Sequence, residues 1–118
     1  MADESKPPVR LAILASGSGS NAEAIMRHFA DHPDVEVAWV GSNRKQAGVL
    51  ERARARGVAA SAFSGKEAAN GGLLAELQER EIDWVALAGY LLMVPADAVK
   101  AYKGRMVNIH PALLPDFG

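Results

Sequence analysis

Two short stretches of the chain carry residue types that could do chemistry. In the first, residues 16–21 (SGSGSN), glycine and serine alternate between an apolar run and an amphipathic segment. A glycine-rich turn at a helix N-terminus presents backbone N–H groups and partial positive charge, which favour a bound phosphate. In the second, Asn108 and His110 stand two residues apart. An amide beside an imidazole can stabilise an oxyanion and exchange protons near neutral pH, so this pair suits acyl transfer.

The glycine-rich stretch admits several interpretations. A flexible linker is disfavoured because the flanking residues read as a strand and a helix. Helix capping by Ser20 or Asn21 would not by itself require two glycines. The sequence GSGSNA fits the relaxed dinucleotide fingerprint, but the second strand ends in GSNR rather than in the acidic residue that NAD needs. Arginine there suits NADP, so an NADP-binding oxidoreductase module stays open, whereas a P-loop is excluded because no Gly-Lys-Ser/Thr follows.

Strand alternation places Asn108 and His110 on one side of the last predicted strand, which Pro111 ends. In a parallel sheet both side chains would then lie at the carboxyl edge, where the glycine-rich turn also lies. The alternative is that His110 is a core histidine and Asn108 a turn former, but their position opposite a phosphate loop favours chemistry. A metal site is disfavoured because Asp116 is the only carboxylate near His110 in sequence.

The elements that must position these residues alternate between short apolar runs and longer helical segments. This alternation predicts a parallel sheet covered by helices. Gly57 stands where a left-handed helix cap is expected. The predicted strands are 9–15, 35–41, 58–63, 84–89 and 105–109, and the predicted helices are 21–30, 47–56 and 66–80.

Length and composition limit the number of domains and the kinds of partner that the chain can have. A chain of 118 residues corresponds to one domain. Its 13 basic and 14 acidic residues leave a net charge of −1, which argues against nucleic acid or an anionic membrane as a partner. Without cysteine there is no disulfide framework and no thiol nucleophile. The first eight residues lack the features of a secretory signal, and no apolar run reaches the roughly 20 residues of a membrane span. We therefore expect a disordered leader over 1–8 and a cytoplasmic location.

Four segments together resemble one enzyme family: ASGSGSNAEAI, GSNRKQAGVLERARARGV, LAGYLLMVP and VNIHPALLP. They are similar to the folate-dependent glycinamide ribonucleotide formyltransferases of de novo purine (IMP) biosynthesis, over nearly all of residues 9–118. The Asn-x-His-x-x-Leu-Leu-Pro pattern alone marks the wider group of 10-formyltetrahydrofolate-dependent formyltransferases and hydrolases, which remains an alternative. The resemblance implies an α/β fold with an open, mostly parallel, Rossmann-like sheet and helices on both faces.

The resemblance also implies roles for residues. Gly19, Ser20 and Asn21 would hold the phosphate of glycinamide ribonucleotide, His110 would be the catalytic histidine, and Asn108 would donate to the oxyanion. The formyl donor would be 10-formyltetrahydrofolate, with no metal. Its binding slot would involve Lys66, Leu91, Leu92, Met93 and Val94. The LLMV run departs from relatives that carry arginine at its second position.

The family uses an aspartate well downstream of the histidine, and this chain ends at Gly118 before reaching it. No segment follows to cover the strand at 105–109. We therefore expect 9–118 to be an N-terminal mononucleotide-binding domain truncated at its C-terminus, with little or no formyl transfer of its own. The apolar flank left uncovered would favour self-association or domain exchange with a second copy.

Overall fold

The computed structural model describes residues 7–109. His110 therefore lies outside the described residues. Five strands form one sheet in the order β3-β2-β1-β4-β5, and every described pairing is parallel. This confirms the predicted fold class and all five predicted strands. Their bounds are β1 Val9–Leu14, β2 Val35–Ser42, β3 Ala60–Ala62, β4 Trp84–Ala88 and β5 Met106–Ile109.

Helices connect the strands and cover both faces of the sheet. On one face, α1 and α2 pack with Ile13 and Val40 in an apolar cluster. On the other face, α3 and α4 contribute to a second cluster around Leu14 and Trp39. Because helices pack on both faces, the sheet is the middle layer of a three-layer sandwich. The helices are α1 Ser20–His28, α2 Gly48–Ala55, α3 Gly65–Ala69, α4 Gly72–Glu79 and α5 Ala96–Ala101.

The strand order places a topological switch at the centre of the sheet. After β1, the chain moves to one side through β2 and β3, and β4 and β5 then add to the other side of β1. The turns that follow β1 and β4 therefore lie side by side at the carboxyl edge. In open α/β sheets this is the crevice in which ligands bind.

The single helix predicted over 66–80 is wrong, because the structure has two helices there. Gly71 has a φ of 93°, a left-handed conformation that ends the first helix and begins the second. A Cβ at Gly72 would lie 2.6 Å from the Glu67 carbonyl oxygen, so the two glycines permit a turn too tight for other residues. The helix α5 was not predicted.

The ends of two helices follow the same hydrogen-bonding scheme. At the end of α2, the Val58 N–H donates to the Ala53 carbonyl at 2.9 Å, and Gly57 has a φ of 76°. The predicted left-handed cap at Gly57 is therefore confirmed, and the pattern is a Schellman motif. At the end of α4, the Ile82 N–H donates to the Leu77 carbonyl at 3.0 Å, with Glu81 in the left-handed position.

Candidate phosphate-binding and catalytic edge

The glycine-rich turn leads from the buried end of β1 into α1. Gly19 is the N-cap of α1, with a φ of 83° and no side-chain capping hydrogen bond. A Cβ on Gly19 would lie 2.5 Å from the Val49 Cβ atom, so both backbone conformation and space require glycine here. Ser20 and Asn21 are the first two residues of the helix rather than its cap. The structure therefore does not support capping by either side chain as the reason for this sequence.

Two hydrogen bonds from α2 fix the orientation of the turn. The Gly17 carbonyl accepts from the Val49 N–H at 3.1 Å, and the Ser18 carbonyl accepts from Arg52 Nε at 2.7 Å. In a trans peptide the carbonyl and the next N–H point in opposite directions. The N–H groups of Ser18 and Gly19 therefore point away from α2.

The first turn of α1 adds further donors to this surface. Its earliest intrahelical hydrogen bond runs from the Glu23 N–H to the Gly19 carbonyl at 2.7 Å. The N–H groups of Ser20, Asn21 and Ala22 precede that bond and have no carbonyl one turn back within the helix. Together with the turn, they form a row of backbone donors at the positive end of the helix dipole. Such a row can bind an anion without a lysine or arginine side chain.

Ser16 links the turns that follow three different strands. Its side chain is buried, and its hydroxyl donates to Asn43 Oδ1 at 2.6 Å and accepts from the Leu91 N–H at 2.8 Å. Its own N–H donates to the Gly89 carbonyl at 3.1 Å. Ser16 belongs to the glycine-rich stretch singled out from the sequence, but its role in linking the three turns was not predicted.

Asn43 occupies the end of β2, where the ribose-binding acid of an NAD site would stand. Its side-chain oxygen is used by Ser16. Arg44, which left an NADP site open, is exposed, and its N–H donates to the Ser42 hydroxyl at 3.1 Å. The end of β2 thus serves to hold the glycine-rich turn.

Asn108 lies on β5 at the same edge of the sheet as the glycine-rich turn. The register aligns Leu14 of β1 with Leu87 of β4, and Leu87 with Asn108. Aligned residues of parallel neighbours share a face, and two strand spacings separate Asn108 from β1 by roughly 10 Å. Asn108 is exposed. Its predicted partner His110 is not among the described residues, so their mutual geometry stays a prediction.

The residues assigned to a folate slot lie around the turn between β4 and α5. Leu91 and Met93 are 77% and 91% exposed, which is unusual for large apolar side chains. An apolar cavity of about 380 Å³ separates this turn from α3. Lys66 is exposed on α3, directly after one of the lining residues. The cavity is lined by Gly65, Ala68, Ala69, Leu92, Met93, Val94, Pro95 and Ala96.

Tyr90, between the Ser16-bonded turn and this exposed run, has a buried hydroxyl with no hydrogen-bond partner within residues 7–109. Burial raises the pKa of this phenol. Its ring lies 6.2 Å from that of Phe63, measured between centroids. The aromatic ring thus packs in the core while its polar atom stays unsatisfied.

Glu23 on α1 joins α1 to α2 through two arginines. One carboxylate oxygen pairs with Arg52, and the other accepts from Arg56 Nε at 3.1 Å. The hydrogen bond from Arg52, followed by that from Arg56, lowers the pKa of the Glu23 carboxyl. The Glu23 carboxyl therefore stays charged at neutral pH. The Arg52 guanidinium, whose Nε bonds the glycine-rich turn, is held by Glu23 through a second nitrogen.

Other features of the described part of the chain lie apart from this edge. Between residues 7 and 109, no group of three or more His, Asp or Glu residues is placed to hold a metal ion. None of the helices in that range is long and apolar enough to cross a bilayer. A cavity of about 470 Å³ lies at the opposite edge of the sheet, between the start of β2 and the ends of α1 and α2.

An open parallel sheet with a glycine-rich turn at its central switch point defines a Rossmann-like class of α/β protein. Comparison with known proteins narrows this class. The sequence profile described as "Formyl transferase" matches residues 9–118, and the chain belongs to that family.

The relatives agree with one another. The chain is 36% identical to phosphoribosylglycinamide formyltransferase of Bacillus subtilis (strain 168), covering 92% of this chain and 58% of the relative. It is 38% identical to the Escherichia coli (strain K12) enzyme of the same name, covering 92% of this chain and 54% of that protein. Glycinamide ribonucleotide transformylase 1 from Geobacillus kaustophilus superposes with a TM-score of 0.81 at 41% identity, covering 94% and 62% of the two chains. The chain thus spans about half to three-fifths of the length of these relatives.

Proposed function

We propose that this chain acts in the transfer of a formyl group from 10-formyltetrahydrofolate to the amine of glycinamide ribonucleotide. The observation that carries the proposal is the row of backbone donors at the glycine-rich turn, which suits a phosphate monoester. The names of the similar enzymes support the choice of substrate. We further infer that the domain spans 9–118 and acts in the cytoplasm.

The phosphate of the ribonucleotide would bind at Gly19, Ser20 and Asn21. The N–H groups of the turn and of the first helical turn converge there, and glycine at position 19 lets the anion approach the backbone closely. The Ser20 hydroxyl and the Asn21 amide would add side-chain donors. Since the chain has a net charge of only −1, this local grip rather than long-range attraction would select the anion.

The reacting groups would meet beside β5. The amine of the ribonucleotide attacks the formyl carbon, the new N–C bond forms, and the tetrahedral intermediate collapses as the bond to the folate nitrogen breaks. Asn108 would donate to the oxyanion, and His110 would carry the proton from the attacking amine to the departing folate nitrogen. Transfer would be direct, without an acyl-enzyme.

The folate would lie along the turn from Leu91 to Val94, near Lys66. Two exposed apolar side chains and an adjacent apolar cavity offer a surface for the flat pterin ring. Lys66 would contribute a positive charge to the acidic tail of the folate. The leucine at position 92 supplies no polar contact, so backbone groups of the turn would supply the hydrogen bonds.

Isothermal titration calorimetry tests the ligand. We expect glycinamide ribonucleotide to bind measurably, its dephosphorylated riboside far more weakly, and NADPH not at all. Gly19→Ala should abolish the preference for the phosphorylated ligand, because its Cβ would displace the turn from Val49. The matched control is Gly57→Ala, which imposes a similar backbone strain at a φ of 76° with no atom within 4 Å of the added Cβ.

Equal binding of the ribonucleotide and the riboside by the unaltered chain would refute the proposed phosphate site. Tighter binding of NADPH than of the ribonucleotide would instead favour an NADP-binding module.

A further inference from the structure

We propose that Arg52 is a positioning residue for the phosphate-binding turn. Through its hydrogen bond to the Ser18 carbonyl, it sets the plane of the Ser18–Gly19 peptide, so that the Gly19 N–H faces the ligand. This inference rests on the proposed function and adds to it a residue on α2, outside the turn itself.

The contact geometry points to orientation rather than to direct ligand binding. Arg52 Nε lies 2.7 Å from the Ser18 oxygen, on the α2 side of the peptide. The ligand-facing N–H lies in the same peptide plane and points in the opposite direction. A guanidinium that holds the carbonyl from behind also polarises the peptide, which makes the outward N–H a better donor.

Arg52 is itself held in place. Its terminal nitrogen pairs with Glu23 of α1, which also accepts from Arg56. Because Glu23 is shared by Arg52 and Arg56, the three side chains keep one net positive charge. The role of Arg52 follows from its bond to the Ser18 carbonyl rather than from charge. The pairing with Glu23 also restrains the long side chain, which reduces the entropy lost when Nε bonds to Ser18.

The turn needs such a restraint. Gly17 and Gly19 are the least constrained residue type, and a Cβ at position 17 would meet no atom within 4 Å. The neighbouring peptide is fixed by the Val49 N–H. For the Ser18–Gly19 peptide, the described bond to the carbonyl comes from the Arg52 side chain. A substitution at Arg52 therefore changes the orientation of one particular donor.

A simple helix-to-helix ion pair is the competing explanation, and Glu23 separates the two. Glu23→Gln removes the negative charge from the pairs with both arginines, but it keeps a side-chain oxygen that can accept from Arg52 and so leaves the bond from Arg52 to Ser18. If Arg52 only joins α1 to α2, Glu23→Gln, which affects the pairs with both arginines, should weaken the recognition of phosphate at least as much as Arg52→Gln does. If it positions the turn, only Arg52→Gln should weaken the recognition of phosphate.

The experiment measures the ratio of dissociation constants for glycinamide riboside and glycinamide ribonucleotide in the 118-residue chain. We expect Arg52→Gln to lower this ratio about tenfold, the scale of one hydrogen bond to a charged group. Glu23→Gln should change it by no more than about twofold, the effect expected for a partly exposed ion pair. Arg54→Gln is the matched control, since it removes the same charge from an exposed position on the same helix, and it should leave the ratio unchanged.

The backbone ¹⁵N chemical shift of Gly19 without ligand is the second readout. It should move in Arg52→Gln and stay in place in Arg54→Gln. If Arg52→Gln does not fold, Arg52→Lys takes its place, with a smaller loss expected because lysine keeps a donor but not the planar geometry.

An unchanged ratio in a folded Arg52 variant, or equal losses in the Arg52 and Glu23 variants, would overturn the inference. A ratio near one in the unaltered chain would instead overturn the proposed function.

Discussion

Backbone groups at the carboxyl edge of the sheet provide most of the donors of the candidate site, and side chains hold them in place. Ser16 and Arg52 each bond to the backbone of a turn, at Leu91 and Ser18 respectively. Glycine at position 19 removes the Cβ that would separate the turn from α2. The chemistry of this edge thus depends on residues that need not touch a ligand.

At Asn108 we predict a catalytic effect. In a preparation that carries out formyl transfer, Asn108→Ala should lower the transfer rate by about 10²–10³, the usual cost of losing one oxyanion donor. The affinity for glycinamide ribonucleotide should change little, because the phosphate grip lies two strands away. Rates are measured by following the folate product at saturating substrate.

Asn70→Ala, at the exposed end of α3, is the control for this substitution. A transfer rate in Asn108→Ala within a factor of about two of the unaltered rate would remove Asn108 from the proposed mechanism.

The sequence predicted some site residues and missed others for a physical reason. The glycine-rich turn was identified because its signal is local: a strand, two glycines and a helix in succession. The linking role of Ser16 and the bond from Arg52 to the turn were not predicted, because the partners of both residues are distant in sequence. Ser16 bonds to residues 27 and 75 positions away, and Arg52 to a residue 34 positions away. Only the folded topology brings these pairs together.

Among the elements, β1, β2 and β4 were predictable because their apolar, β-branched runs match strands that are largely buried in the middle of a sheet. The break between α3 and α4 was not predicted, since the apolar spacing continues across it. A single helix that buries Leu73 and Leu77 would also bury Ala69, four residues earlier. In the structure Ala68 is buried and Ala69 is exposed, so the buried face changes direction at the break. The helix α5 was missed because it has only six residues and buries only Ala98.

The end of α4 supports a stability prediction. Glu81 is exposed and has a φ of 56°, a conformation that glycine adopts without strain. Glu81→Gly should raise the free energy of unfolding by about 1 kcal/mol, since the left-handed position costs an L-residue about this much. Urea denaturation monitored by circular dichroism measures the change.

Glu81→Ala is the control, because alanine keeps the Cβ and should give no comparable gain. A decrease in stability in Glu81→Gly would show that the glutamate side chain contributes more than its backbone strain costs.

At the scale of the whole molecule, one face of the sheet carries an exposed apolar surface near β1, β4 and β5. Val9, Trp84 and Val107 are each more than a third exposed. They line an apolar concavity of about 350 Å³, together with Leu11, Ile25, Phe29, Val35, Ala86 and Ile109. A continuous apolar surface of this kind favours association.

We predict that the 118-residue chain self-associates through this surface. Sedimentation velocity should show an average mass that rises with protein concentration, and Val107→Lys should reduce that rise by placing a charge in the apolar contact. Val99→Lys is the matched control, because Val99 is 46% exposed on α5, away from the concavity. A monomeric chain at all concentrations, or equal effects of both lysines, would contradict the prediction.

The shared hydroxyl of Ser16 has a consequence for motion. Because one oxygen atom is bonded to both Asn43 and Leu91, the segments after β1, β2 and β4 cannot shift independently without breaking a buried hydrogen bond. A compound that draws any one of these segments toward itself therefore transmits the displacement to the other two. A ligand bound at the glycine-rich turn would thus change the position of the Leu91 turn, and a ligand bound at the Leu91 turn would change that of the glycine-rich turn.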